Sequence, residues 1–166
     1  MSKKKAKNNV VRLLEREKIP YTAYELPAEK LGALETARRL GVPPERVFKT
    51  IVVVRERGKP ILAVVSALQE VDLKAVAQAV GEKKVHLPPQ KEAERLTGLL
   101  AGGISPLALL HRGFTVVLDT SATDDTYLHI SGGQRGLNIR LSVEDFIRLT
   151  HAHLAPIGRP LHIKKA

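Results

Sequence analysis

Cysteine and tryptophan are absent from the 166 residues, and only three tyrosines and three phenylalanines are present. Without cysteine there can be no disulfide scaffold, no thiolate metal site and no cysteine nucleophile, a composition suited to a reducing cytoplasm. Long apolar runs are also missing. The longest, Ile51 to Val54 and Ile61 to Val65, are far too short to span a bilayer. The lysines near Met1 are followed by no apolar segment, so no secretory signal and no membrane association are expected.

Acidic residues are scarce: 17 Asp and Glu stand against 27 Lys and Arg, for a net charge of +10. The excess sits at the two ends. Residues 1–18 hold seven Lys/Arg and two Glu, and residues 159–166 add Arg159, Lys164 and Lys165, which leaves a body of only +2. This distribution permits a phosphate-bearing partner at the tails without requiring one. With 43% hydrophobic residues the chain is an ordinary globular one, and its length fits a single domain. The expected organisation is a basic tail over 1–7, one domain over 8–157 and a second basic tail over 158–166.

Helical spacing and capping residues predict a helix after Asn8 or Asn9, one over Leu34 to Leu40 ended by Gly41, and one capped by Asp72 and ended by Gly81. A further helix runs from Pro89 to about Thr97, and a last one follows Ser142. Lys49 to Val54 and Ile61 to Val65 read as a hairpin, with shorter strands at Tyr21 to Leu26, Val85 to Leu87, Phe114 to Leu118, Tyr127 to Ser131 and Leu137 to Leu141. Strands and helices do not alternate strictly. The expected class is therefore α+β, a mixed and curved β-sheet or partial barrel with surrounding helices.

Familiar catalytic signatures are missing: there is no phosphate-binding Walker loop, no dinucleotide fingerprint and no Gly-x-Ser-x-Gly elbow. His151 and His153 fall two apart on the expected last helix and so point to different sides, and no other pair of the six histidines has ligand spacing. Neither a metal nor another cofactor is expected. Asp124 and Asp125 read as a solvated turn. Two glycine loops remain, Gly98 to Pro106 and Ser131 to Gly136, where bare backbone can approach a ligand and aim N–H groups at an oxygen. Lys49 opens an apolar strand at a place where folding has no use for a charge.

Val47-Phe48-Lys49-Thr50, Val71-Asp72-Leu73-Lys74, Gly81 with Lys83-Lys84-Val85, Thr97-Gly98, Gly102-Gly103-Ile104-Ser105-Pro106 and Ser131-Gly132-Gly133 with Arg135-Gly136-Leu137 occur in that order. Together they resemble the YbaK family, the Cys-tRNA(Pro) deacylases related to the inserted editing domain of bacterial prolyl-tRNA synthetase, from about Val10 to about Ala155. The resemblance implies a trans-editing deacylase that cleaves the ester of mischarged Cys-tRNA(Pro), assisted by the substrate thiol. It implies a catalytic group of Lys49, Gly102, Gly103 and Ser105, and substrate binding by Tyr24, Gly98, Ser131, Gly132, Gly133 and Asn138. The implied partners are aminoacyl-tRNA, above all the acceptor end of tRNA(Pro), and prolyl-tRNA synthetase.

Three departures bear on substrate preference. Relatives often carry lysine at Gln134, aspartate at Asn138, and an aromatic residue between Tyr24 and Lys49, where Leu31 or Leu34 is the available filler. Two alternatives stay open: a deacylase for alanyl or seryl esters using water, and a non-catalytic module binding tRNA or a synthetase.

Overall fold

The structure, a computed structural model, describes residues 8–162, so the tail expected over 1–7 and the end of the second tail lie outside the described residues. Five helices are present among them: α1 (Asn9–Arg16), α2 (Ala33–Leu40), α3 (Leu73–Val80), α4 (Gln90–Thr97) and α5 (Val143–Thr150). Caps explain where they start. The Asn8 side chain accepts from Val10 and Val11 N–H, Asp72 from Ala75 N–H, and Ser142 from Asp145 N–H. Gly41 and Gly81 end α2 and α3 in the left-handed conformation, at φ 68° and 73°.

The strands are β1 (Tyr21–Glu25), β2 (Phe48–Arg55), β3 (Ile61–Ser66), β4 (Gln69–Val71), β5 (Val85–His86), β6 (Thr115–Asp119), β7 (Tyr127–Ser131), β8 (Leu137–Ser142), β9 (His153–Ala155) and β10 (Gly158–Pro160). A five-stranded sheet runs β5-β2-β3-β6-β9, with β2/β3 antiparallel and β3/β6 and β6/β9 parallel. A three-stranded antiparallel sheet runs β1-β8-β7. An isolated bridge between Val47 and His129 joins the two sheets at the β7 edge.

Both sheets give one face to the same core. Phe48, Val52, Leu62, Val64 and Leu118 from the larger sheet meet Leu128, Ile130, Ile139 and Leu141 from the smaller, with Leu14 of α1 and Phe146 of α5. Each such side chain contributes about 1.5–3 kcal/mol when fully buried. The opposite face of the larger sheet, Val53, Ile61, Ala63, Val65 and Val117, packs on Val76 and Ala77 of α3. Because both of its faces are covered, β3 is buried along its whole length. The arrangement is the expected mixed α+β fold, curved about the first core, and the described strands do not close into a barrel.

Two expectations need correction. Helix α5 ends at Thr150, where His151 takes a left-handed φ of 56°, and His153 begins β9, so the two histidines do not share a helix. Residues 158–160, expected in a tail, form β10 and pair antiparallel with β4. Asp119 explains the second difference. One carboxylate oxygen accepts from Ile157 and Gly158 N–H at 2.9 and 2.8 Å, while the other accepts from Gln69, from Ser121 N–H and from the Ser121 hydroxyl. A carboxylate inside the domain thus holds the chain beyond residue 157.

Candidate active site

A cleft of about 270 Å³ lies where β2 meets the smaller sheet. Strand alternation puts its polar groups there. Leu128, Ile130, Ile139 and Leu141 point inward, so His129, Ser131 and Asn138 fall on the other face. Asn138 pairs with Tyr24 on one side and Ser131 on the other, making one row across β1, β8 and β7. Lys49 comes from β2 beyond the Val47–His129 bridge. The segment containing Glu29, Leu31 and Gly32 also lines the cleft. Leu31 lines the cleft, whereas Leu34 is exposed at 49% and does not line it.

The joint is held by Arg46. Its guanidinium donates to the Tyr127 and Ala122 carbonyls, lies 3.7 Å from Asp125 and stands 5.7 Å from the centre of the Phe48 ring. Asp125 is accordingly an ion-pair partner as well as a turn residue.

Lys49 is half-buried at the cleft wall and makes no hydrogen bond or ion pair with any described residue. Burial pushes its ammonium below the ordinary lysine value, and the Glu70 charge opposes that shift. Glu70 itself is engaged by Arg159 at 3.2 Å. Beside Lys49, Thr50 borders the cleft, and its hydroxyl oxygen is buried without a hydrogen-bond partner. A partly buried cation and a buried hydroxyl, each without a hydrogen-bond partner among the described residues, cost stability, and the cost is offset when a polar ligand arrives.

The two glycine loops meet each other. A Cβ on Gly103 would stand 2.9 Å from the backbone of Gln134, and Arg135 donates to the Ala101 carbonyl at 2.6 Å. Gly133 would collide with Ala108 and Gly132 with Leu137, so these glycines serve close chain packing. Asn8 adds a tie from outside, donating to the Gly132 carbonyl and the Gln134 side chain. Gly102 differs: it lines the cleft, has φ +91°, and its N–H makes no hydrogen bond to any described residue.

The structure therefore brings together Lys49, Gly102, Ser131 and Asn138 as cleft residues, with Tyr24 adjacent in the Asn138 row. It sets Gly98 and Ser105 apart. Gly98 is the left-handed cap of α4, and Ser105 is fully buried with its hydroxyl accepting from Leu107 N–H. Gly103, Gly132 and Gly133 support the loops from behind. Sequence reasoning passed over Thr50, Glu29 and His129. The last is 4% exposed, its Nδ1 lies 3.1 Å from the Asn138 amide oxygen, and its ring centre is 5.5 Å from that of Tyr24. A lone histidine in an alternating strand looks like a core residue, and only the pairing register reveals its neighbour.

The α+β frame thus carries a lysine-bearing cleft beside paired glycine loops. The profile of the aminoacyl-tRNA editing domain matches residues 29–149, and the chain belongs to that family. A protein of Enterococcus faecalis, EbsC, named as a candidate Cys-tRNA(Pro)/Cys-tRNA(Cys) deacylase, is 37% identical over 161 residues, covering 95% of this chain and 98% of that protein. The crystal structure of a candidate trans-editing enzyme for prolyl-tRNA synthetase superposes with a TM-score of 0.75 at 25% identity, over 91% of this chain and 96% of that one. The crystal structure of the hypothetical protein APE2540 shares the fold at a TM-score of 0.83 and 20% identity, over 92% of this chain and all of that one. Among the described residues no helix is long and apolar enough to cross a membrane.

Proposed function

We propose that the chain is a trans-editing deacylase that removes cysteine from mischarged tRNA(Pro). The carrying observation is Lys49, a half-buried ammonium that makes no hydrogen bond or ion pair with any described residue, on the wall of a cleft sized for a small ligand. The terminal adenosine enters with its aminoacyl ester between the β2 wall and the Asn138 row. Lys49 donates to a phosphate or ribose oxygen. The Gly102 N–H is free to stabilise charge developing on the ester carbonyl, an effect worth about 2.7–4 kcal/mol per donor in comparable sites.

Among the described residues no hydrogen-bonded base–nucleophile pair lines the cleft, which suits attack by the substrate's own thiol. The substrate sulfur forms a bond to its own carbonyl carbon, the ester C–O bond breaks, and the thiol proton passes to the departing ribose oxygen. A cysteinyl thiolactone leaves and hydrolyses in water. Using the thiol as reagent adds discrimination, because rejecting a small side chain by size alone is worth only about 1–3 kcal/mol. The acceptor end of tRNA(Pro) is the proposed binding partner, prolyl-tRNA synthetase a proposed protein partner, and the cytoplasm the proposed setting. The basic ends of the chain fit phosphate contacts outside the cleft.

The test is ester loss from Cys-, Ala- and Ser-tRNA(Pro) with purified protein at excess substrate. Preferential multiple-turnover loss from Cys-tRNA(Pro) is expected. Faster loss from the alanyl or seryl ester would move the assignment to water-driven editing, and binding without turnover would make the chain a binding module.

A further inference from the structure

Asn138 stands at the centre of the cleft row, and an amide is ambiguous where a carboxylate is not. Its oxygen only accepts hydrogen bonds and its nitrogen only donates. Which of the two faces the ligand decides what the cleft recognises.

The neighbour that bears on the choice is His129. It lies on the same sheet face as Asn138, in the diagonal position one row along β7, and both are interior residues, at 4% and 5% exposure. His129 Nδ1 approaches the Asn138 Oδ1 at 3.1 Å. In this amide orientation the oxygen accepts and Nδ1 carries the proton. The Asn138 NH2 group makes no hydrogen bond to any described residue, while Asn138 lines the cleft.

The histidine ring is itself fixed. The Tyr24 ring packs on it at a tilt of 44°, and its backbone forms the bridge to Val47 that joins the two sheets. Arg140, its direct cross-strand partner, and Arg46 both place positive charge nearby. Burial first, and those two cations in addition, hold the imidazole below its ordinary value, against the opposing hydrogen bond to Asn138. The ring thus stays neutral, with one nitrogen donating to Asn138.

We infer that His129 is a positioning residue for the deacylation proposed above: it holds the Asn138 carboxamide by its oxygen, so that the amide nitrogen faces the cleft as a donor to a substrate oxygen. The inference rests on the deacylase reading for its substrate. In relatives with aspartate at this position the cleft group is an acceptor suited to an ammonium. Here, with its oxygen accepting from Nδ1–H, it is a donor suited to the ester or ribose oxygens.

The experiment compares His129→Phe and His129→Asn, each in the Asn138 and the Asn138→Ala backgrounds, by single- and multiple-turnover loss of cysteine from Cys-tRNA(Pro). His129→Phe removes the donor, and His129→Asn places an amide nitrogen where Nδ1 was. The first should lower kcat by about tenfold with little change in KM, and the second should restore it to within about threefold of wild type. In the Asn138→Ala background His129→Phe should cost nothing further. Equal losses in both backgrounds, or failure of His129→Asn to recover a rate that His129→Phe has lost, would overturn the assignment.

A readout independent of turnover keeps it testable if Cys-tRNA(Pro) is not the substrate. Imidazole 15N spectra of the whole protein at neutral pH should show His129 protonated on Nδ1. The Nε2 tautomer would overturn the inference even with deacylation established. Absence of deacylation from every aminoacyl-tRNA, with the Nδ1 tautomer present, would instead refute the proposed reaction and leave the positioning of Asn138 standing.

Discussion

Replacing Lys49 by methionine separates folding from function more sharply than any other change in this molecule. The methionine keeps an unbranched apolar stem against the cleft wall and deletes only the ammonium, which no described residue pairs. No hydrogen bond is lost, so the change at neutral pH should fall within about 0.5 kcal/mol and on the stabilising side. The pH dependence gives a second check. Lys49 has a folded value below its unfolded one, so stability rises with pH as the folded protein gives up its proton first. Any advantage of methionine is therefore greatest near neutrality and fades as pH climbs toward 10.5, the ordinary lysine value. Activity behaves differently. A charged hydrogen bond to a substrate oxygen is worth about 1.5–3 kcal/mol, so ester loss from Cys-tRNA(Pro) should slow by roughly 10- to 150-fold. Lys49→Arg should fail as well, since a broad planar guanidinium does not replace a compact ammonium in a close pocket. Thermal unfolding across pH and single-turnover deacylation measure both sides. A near-wild-type rate in Lys49→Met would refute its role in the cleft. A melting loss equivalent to more than about 1 kcal/mol would show that the ammonium serves the fold after all.

Gly103→Ala places a Cβ 2.9 Å from the Gln134 backbone and should cost about 1–3 kcal/mol, seen as a lower urea midpoint at constant m-value; an unchanged midpoint would mean the loops part without cost. Asp119→Asn removes a charged acceptor shared by five donors and should destabilise by about 3 kcal/mol, with the 153–160 segment losing amide-exchange protection first. The Asp119 carboxyl titrates below its usual 3.8, because hydrogen bonds from Ser121, Gln69 and Gly158 overcome the opposing effect of burial. Its stabilisation is therefore complete above about 3.8 and is lost as pH falls through the folded value; acid unfolding of Asp119→Asn should lack that component. Deleting residues 1–7 should leave the melting temperature unchanged and flatten the salt dependence of tRNA binding, and an identical slope would show that Lys3, Lys4, Lys5 and Lys7 touch no phosphate.

What could be read in the sequence was local. Asn8, Asp72 and Ser142 mark helix starts because their side chains reach N–H groups two or three residues on, and Gly41 and Gly81 mark ends because left-handed geometry suits them. The β2/β3 hairpin was legible as two β-branched runs around a turn. Strands β4, β9 and β10 were not, since each has three residues and no apolar alternation, and they form through Asp119 and pairing between distant segments. His151 escaped because a non-glycine residue ends α5. In the site, Lys49 stood out as a charge without a folding purpose. The glycine loops were only half legible: abundant glycine marks close approach, and nothing in the spacing tells whether a ligand or a neighbouring loop approaches.

The seam between the two sheets has a consequence for how the cleft can change. Lys49 belongs to β2 and lies on one side of the Val47–His129 bridge, while Tyr24, Asn138 and Ser131 belong to a sheet on the other side. The two walls draw their rigidity from separate strand ladders, so drift in one is not forced upon the other. Asn138, one of the positions that depart from the related proteins, lies on the far side of the seam from Lys49. A lineage can therefore retune which side chain it admits by altering that wall alone, with the cationic wall inherited intact.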